Sequence, residues 1–330
     1  MDTNRFPGGL RVISDYARAR GIRTIVWFEP ERVGSGSWLA TAHRDWLYGS
    51  GVDGLLNIGK PETWTWLVNH FDSLIVSEGV DLYRQDFNID PLVFWRANDT
   101  PDRQGISEIR HVTAYLAYWD ELRRRHPELL IDSCASGGRR NDLETLRRGV
   151  PLLRSDWIIE PVSQQNHTYG IAFWIPFYGT GINQFDAYGF RSCMCPHVTF
   201  VYDMRRTDQD YAPVVRLFRQ WREEIAPNFW GDYYPLTPFS PDSTACMAFQ
   251  FDRPEEGSGI VLAFRRAYSP DERLALRLRG LEPGARYTVR DLDTESAETF
   301  TGRSLMDTGL AVVFRERPGS AALTYRKEKP

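Results

Sequence analysis

PETWTWLVNHFDSLIVSEGVDLYRQDFN, residues 61–88, holds a complete helix-to-strand unit. Trp64, Leu67, Val68, Phe71 and Leu74 recur at helical spacing, which gives one apolar face with a period near 3.6. Pro61 suits the first turn of a helix, and Gly79 suits the left-handed residue that ends one. The run 80–87 then reads as a short buried strand that delivers Asp86 and Asn88 to its C-terminal end.

The unit recurs on both sides. Leu10, Val12, Ile13, Tyr16 and Ala17 predict a helix over 9–20, stopped by Gly21. A strand over 24–28 follows and runs into the acidic Glu29-Pro30-Glu31. Residues 54–58 read as a short strand. Beyond the opening stretch come a helix over 109–126, a strand over 129–134, the Gly137-Gly138 loop, a helix over 143–148 and a strand over 152–156. Strands over 169–177 and 198–202 and a helix over 211–225 complete the series. Such alternation predicts βαβ units on a parallel sheet. Carboxylates cluster just after successive strands, which suits a (β/α)8 barrel of the TIM type, whose active site lies at the C-terminal strand ends. A doubly wound sheet is the alternative, but the chain shows no Gly-rich phosphate loop.

The pattern changes near residue 232. Strand signals at 244–251, 259–264, 274–278, 286–291 and 310–314 are separated by turn chemistry such as Pro254-Glu255-Glu256-Gly257 and Pro283-Gly284-Ala285. The expected organisation is a catalytic barrel over 1–231 and a small antiparallel β-sandwich over 232–330.

Composition narrows the function. A formal net charge of -4 argues against a nucleic-acid partner. No apolar run approaches the length of a membrane span, and Met1-Asp2-Thr3-Asn4-Arg5-Phe6-Pro7 has no signal-peptide core. No membrane partner and a cytoplasmic location are therefore expected. Cys193 and Cys195 are too close for an easy mutual bridge, and Cys134 and Cys246 complete no zinc pattern. His43, His70, His111, His126, His167 and His197 show no ligand spacing, so no metal is expected. The 11 Trp residues suit either an aromatic core or sugar stacking, and composition does not separate the two.

Three carboxylate-bearing segments stand out: Val26 to Glu31, Leu82 to Asn88, and Leu153 to Trp157. In a barrel each would end a strand, and all three would face one pocket. Glycoside cleavage needs two carboxyls, one to attack or activate water and one to protonate the leaving oxygen. A nearby cation keeps a carboxylate ionised, as a nucleophile requires. Arg84 precedes Asp86 by two residues, but Arg154 precedes Asp156 by two as well. Spacing alone leaves the two roles open.

The ordered set of motifs resembles glycoside hydrolase family 36, the α-galactosidase family, of one clan with families 27 and 31. Phe6-Pro7-Gly8-Gly9-Leu10 and Trp27-Phe28-Glu29-Pro30-Glu31 resemble the opening of that family's barrel. Arg84-Gln85-Asp86-Phe87-Asn88 resembles its Lys-Trp-Asp-Met-Asn nucleophile motif. The run from Asp132 through Ser133, Cys134, Ala135, Ser136, Gly137 and Gly138 to Arg139 resembles its Glu-Ser-Cys-Ser-Ser-Gly-Gly-Gly segment. Arg154-Ser155-Asp156 resembles its Thr-Ser-Asp acid/base motif, and Phe249 to Pro254 with Ala263 to Arg266 resembles its C-terminal sandwich.

The resemblance implies a retaining hydrolase that releases terminal α-linked galactose without metal or cofactor. Asp86 would be the nucleophile and Asp156 the acid/base. Trp27, Arg84, Asn88, Cys134 and Gly137 would bind the sugar of an oligosaccharide or glycoside, although Cys134 also suits a small buried role. Arg84 stands for a family Lys, and Gln85 and Leu153 stand for Trp, so a related sugar such as N-acetylgalactosamine is an alternative. Family members carry a further β-sandwich and a first barrel strand before the point where this sequence begins. The expected barrel therefore lacks its first strand, in an N-terminally truncated chain. A catalytically impaired homologue that only binds carbohydrate, or a transglycosylase, are the other readings. The family also allows a homo-oligomer. Retaining chemistry predicts the two carboxyls roughly 5–6 Å apart.

Overall fold

The computed structural model describes residues 2–49, 53–158 and 160–329, which gather into two compact units, 1–154 and 155–330. The first runs α1 (Arg11–Arg18), β1 (Ile25–Phe28), β2 (Arg32–Gly34), α2 (Trp38–Ala42), β3 (Leu47–Tyr48), β4 (Asp53–Leu56), α3 (Pro61–Glu78), β5 (Leu82–Gln85), α4 (Leu92–Asn98), α5 (Ile106–Arg125), β6 (Leu130–Ser133) and α6 (Leu143–Leu146). Strands β1, β5 and β6 form a parallel sheet in that order. Its register sets Trp27, Arg84 and Asp132 in one row and Phe28, Gln85 and Ser133 in the next. Side chains alternate between faces. Phe28, Tyr83 and Ile131 pack against Leu67, Phe71, Tyr118, Trp119 and Leu122 of α3 and α5, while Trp27, Arg84 and Asp132 occupy the opposite face.

Helix α3 forms as its sequence demands. Pro61 lies in its first turn, and Gly79 caps it at φ 66°, donating to the Ile75 carbonyl. Helix α1 is shorter than expected, and its Val12, Ile13 and Tyr16 are exposed. It holds to the end of α3 by polar contacts instead: Ser14 Oγ donates to Glu78 O at 2.7 Å, and the Leu10 N–H donates to Glu78 Oε2 at 2.7 Å.

Two expectations for this unit are corrected. The strand expected at 54–58 exists as β4, but it pairs antiparallel with β2 and β3 and stands outside the parallel sheet. Part of the segment before it, residues 50–52, lies outside the described residues. No strand forms at 152–156. Val150 makes a single parallel bridge to Asp132, and Pro151 then lacks the N–H needed to extend the ladder. The Leu152 N–H turns to the Asp132 side chain, donating to Oδ1 at 2.9 Å.

The second unit runs α7 (Pro161–Ile171), β7 (Gly179–Ile182), α8 (Ala187–Ser192), β8 (His197–Phe200), α9 (Ala212–Gln220), β9 (Asp232–Pro235), β10 (Cys246–Arg253), β11 (Ser258–Arg265), β12 (Arg273–Leu276), β13 (Arg286–Asp291), β14 (Ala297–Thr301), α10 (Gly302–Asp307), β15 (Leu310–Val313) and β16 (Gly319–Lys327). The expected strand at 169–177 is wrong, because α7 occupies its first residues. Pro161 starts that helix and the Glu160 carboxylate accepts from the Val162 and Ser163 N–H groups, so a capped helix overrides the aromatic run. Strands β7 and β8 pair in parallel.

The C-terminal region is a six-stranded antiparallel sheet, in order β14-β13-β16-β11-β10-β9, with a two-stranded sheet of β12 and β15. Ala248, Val261, Ala263 and Leu323 face Leu276, Leu310 and Val312 of the smaller sheet. Met247, Phe249, Phe251, Ile260, Leu262 and Phe264 face Phe190, Met194, Leu217, Ile225 and Phe229. Strands β10 and β11 are thus buried on both faces. This shared core explains why residues 155–231 belong to one compact unit with the sheet.

Gly79 gives a test. A Cβ there would combine a left-handed backbone with a 2.6 Å approach to Ser14 Oγ. Gly79→Ala is expected to destabilise the chain by about 1–3 kcal/mol in urea unfolding. An unchanged midpoint would show that the α1–α3 junction tolerates the methyl group.

Candidate active site

The parallel sheet of the first unit brings most of the expected residues together. Beyond the strand ends the ladder continues: the Asp86 N–H donates to Phe28 O at 2.9 Å and the Cys134 N–H to Gln85 O at 2.8 Å. Asp86 is 8% exposed, against 50% for Trp27. The buried carboxylate is surrounded by donors. Trp27 Nε1–H reaches Oδ2 at 3.1 Å, and the Phe87 and Ser136 N–H groups reach Oδ1 at 2.7 and 3.1 Å. Burial works against the charge, but the hydrogen bonds from Asn88, Phe87, Trp27 and Ser136 outweigh it and hold the Asp86 pKa below the ordinary carboxylate value.

The 134–138 loop is built to supply one of those donors. Ser136, Gly137 and Gly138 have φ of 46°, 82° and 142°, and the turn they make presents the Ser136 N–H to Asp86. A Cβ at Gly138 would lie 2.8 Å from Arg154 O. Ser136 Oγ also donates to Asn88 Oδ1 at 3.1 Å. Cys134 is buried against the same carboxylate. Burial pushes its thiol up to about 11, and the thiol, kept protonated, hydrogen-bonds Asp86.

Arg84 acts chiefly on Asp132 and only secondarily on Asp86. Its guanidinium makes an ion pair with Asp132, which is 1% exposed. Burial opposes the Arg84 charge, Asp132 more than compensates, and Asp86 contributes less. The pair fixes a cation on the face that carries Trp27 and Asp86. Trp27, Arg84, Asp86, Asn88, Cys134 and Gly137 therefore share one site, to which the structure adds Ser136 and Asp132.

Asp156 belongs to the second unit. It does not end a strand; it is an exposed residue of the loop that leads into α7. Both carboxylates of the first acidic segment are engaged. The Glu29 carboxylate accepts from the Asn88 N–H at 2.6 Å and pairs with Arg32. Glu31 is 1% exposed and lies beneath the strand ends.

Glu31 is the hub of a network that sequence reading missed. Arg140 grips both its oxygens at 2.6 and 2.7 Å, His111 Nε2 donates to Oε1 at 2.8 Å and Gln85 Nε2 to Oε2 at 2.7 Å. Gln85 Oε1 in turn accepts from Trp119 Nε1 at 2.7 Å and Tyr83 OH at 2.9 Å. Arg140 also stacks 4.2 Å from the Phe87 ring and 3.9 Å from Tyr115. The residues on either side of Asp86 are thereby held from below. Burial resists the Glu31 charge, but Arg140, together with the His111 hydrogen bond, carries its pKa down to about 2. Among the described residues no group of His, Cys, Asp and Glu could hold a metal ion.

The family model for melibiase matches residues 1–182. The chain belongs to the melibiase family. The model for the glycosyl hydrolase family 36 C-terminal domain matches residues 246–325, within the sheet region. An α-galactosidase of Lactobacillus acidophilus is 23% identical over 92% of this chain, and α-galactosidase C of Emericella nidulans is 25% identical over 98%. The chain spans 44% and 45% of the lengths of these two melibiase relatives. The crystal structure of a family 36 α-galactosidase of Geobacillus stearothermophilus superposes with a TM-score of 0.85 at 21% identity, covering 99% of this chain and 47% of that one. A second enzyme of that organism, solved in complex with raffinose, gives 0.83 at 20% identity, covering 98% and 47%. The chain has the fold of these glycosidases over the region it covers, with the C-terminal β-domain included. Among the described residues no helix is long and apolar enough to cross a membrane.

The hub predicts a stability effect with a defined pH dependence. Glu31→Gln leaves the half-buried Arg140 without its counter-charge, and a loss of about 3–5 kcal/mol is expected at neutral pH. Folding lowers the Glu31 pKa, so its stabilisation is complete above about 4.5 and fades as the pH falls towards about 2. Unfolding curves of the two proteins should therefore converge on acidification. A gap that stays constant across the acid range would refute the charge assignment.

Proposed function

We propose that the chain carries the catalytic machinery of a retaining α-galactosidase acting on oligosaccharides or glycosides with a terminal α-linked galactose. The observation that supports this best is the Asp86 cradle: a buried carboxylate held ionised by convergent donors, just past the strand that carries the fixed Arg84 cation. In the first step an Asp86 oxygen attacks the anomeric carbon, the bond to the leaving oxygen breaks, and Asp156 gives that oxygen its proton. In the second step water passes a proton to Asp156 and attacks the same carbon, and the ester to Asp86 breaks. Trp27 stacks on the sugar, and Arg84, Asn88, Cys134 and Gly137 contact its hydroxyls. Raffinose, bound to a structural relative, is a substrate of the proposed class. The finer architecture, a (β/α)8 barrel over 1–231 with a sandwich over 232–330, belongs to the same proposal.

An aryl α-galactoside tests it. Asp86→Asn is expected to lower turnover by at least about 10³-fold, since attack on the anomeric carbon is lost. Turnover of an aryl N-acetyl-α-galactosaminide in place of the galactoside would reassign the sugar. Undiminished turnover in the variant would remove Asp86 from the chemistry.

The cradle also fixes the acid side of the pH profile. Trp27 donates to the ionised form of Asp86, so its removal raises the Asp86 pKa. For Trp27→Phe the acid limb of kcat/KM should move to higher pH. A limb that stays in place while KM alone rises would confine Trp27 to sugar binding.

A further inference from the structure

Arg266 is a fully buried cation of the second unit that the proposed reaction leaves unused. It follows β11, and its direct partners are neutral. Nε donates to Gln165 Oε1 at 2.9 Å, and one terminal nitrogen donates to Asn166 Oδ1 at 2.9 Å. The other reaches the carbonyls of Ser240 and Asp242 at 2.7 and 2.8 Å. The planar fork thus satisfies two successive side chains of α7 and two carbonyls of the turn before β10, which an ammonium group has too few fixed donors to do.

Helix α7 is the anchor of the Asp156 loop. Gln164, fully buried one residue before Gln165, donates through Nε2 to the Trp157 carbonyl. Gln165 Nε2 donates to Ser192 Oγ at 3.0 Å. Ile158 fills the space beside Gly181, where a Cβ would stand 2.8 Å from Ile158 Cδ1. The Ile158 N–H closes the turn on Asp156 O at 3.0 Å. Polar side chains as buried as Gln164 and Gln165 are costly unless each bond is made, so the clamp has one low-energy arrangement.

We propose that Arg266 is a positioning residue for the acid/base step: the C-terminal sheet holds α7 through Arg266, and α7 holds the Asp156 loop through Gln164. This rests on the reading of Asp156 given above. The C-terminal domain is in this view a working part of the proton-transfer apparatus.

The test compares two α-galactosides in the full chain, one with a sugar leaving group and one with 2,4-dinitrophenolate, which departs without a proton. The variants are Arg266→Lys and the milder Gln164→Met, with Asp156→Ala as reference. kcat/KM reports formation of the glycosyl-enzyme. Both positioning variants should lose about tenfold or more on the sugar leaving group and change little on dinitrophenolate. Asp156→Ala should show the same split in larger measure. Amide hydrogen exchange should rise in 155–158 in both positioning variants, a readout that stands whatever the turnover. Equal losses on both substrates, or unchanged exchange in the loop, would overturn the proposal while leaving Asp156 in place. An Asp156→Ala variant without the split would overturn the reading of Asp156 itself, and this inference with it.

Discussion

A buried carboxylate with a single permitted arrangement of partners governs the candidate site. Glu31 is removed from water and is tolerable as an ion only because Arg140 meets it with two donors and His111 and Gln85 complete its shell. The ion and its partners come from distant parts of the chain: Glu31 just past β1, Gln85 at the end of β5, His111 on helix α5, and Arg140 in the loop after β6. Satisfying one ion therefore fixes the relative placement of four segments. Three of them flank the Asp86 cradle directly. The strain of the positive φ at Ser136 is sustained at the same place, since the loop is held at Arg140 below and delivers the Ser136 N–H above.

The opposite face of the sheet uses the same logic with a different result. Asp132 neutralises Arg84 and accepts from the Leu152 N–H, so it also steers the chain away from the sheet after Pro151. One residue fixes a cation at the site and ends the strand series of the first unit. Around Asp86 the balance of burial and donors leaves the carboxylate ionised, whereas beside it burial leaves the Cys134 thiol protonated. The proposed nucleophile and its hydrogen-bonding neighbour are thus set in opposite protonation states by one environment.

Legibility in the sequence followed the range of the interactions. Residues 61–88 were readable because Pro61, the apolar face and Gly79 act within a few turns. The strand at 179–182 was missed because Gly179-Thr180-Gly181-Ile182 has weak strand propensity and is extended only through its neighbours. The central strand β16 begins Gly319-Ser320-Ala321-Ala322 and was missed for the same reason. The run 169–177 was misread because a capping carboxylate nine or more residues upstream outweighed its aromatic content. Asp86 and its neighbours were visible as an ordered set of motifs. The Glu31 hub was not, since it joins residues 109 positions apart, and neither was the Arg84–Asp132 pair.

The central claim is that Asp86 becomes covalently bonded to the sugar. A slowly hydrolysed fluorinated α-galactosyl donor, incubated with the chain and followed by peptide mass spectrometry, tests it most directly. One galactosyl adduct is expected on the peptide that contains Asp86, discharged when an acceptor is added. An adduct on a different carboxylate, or turnover of the donor with no adduct at all, would contradict it.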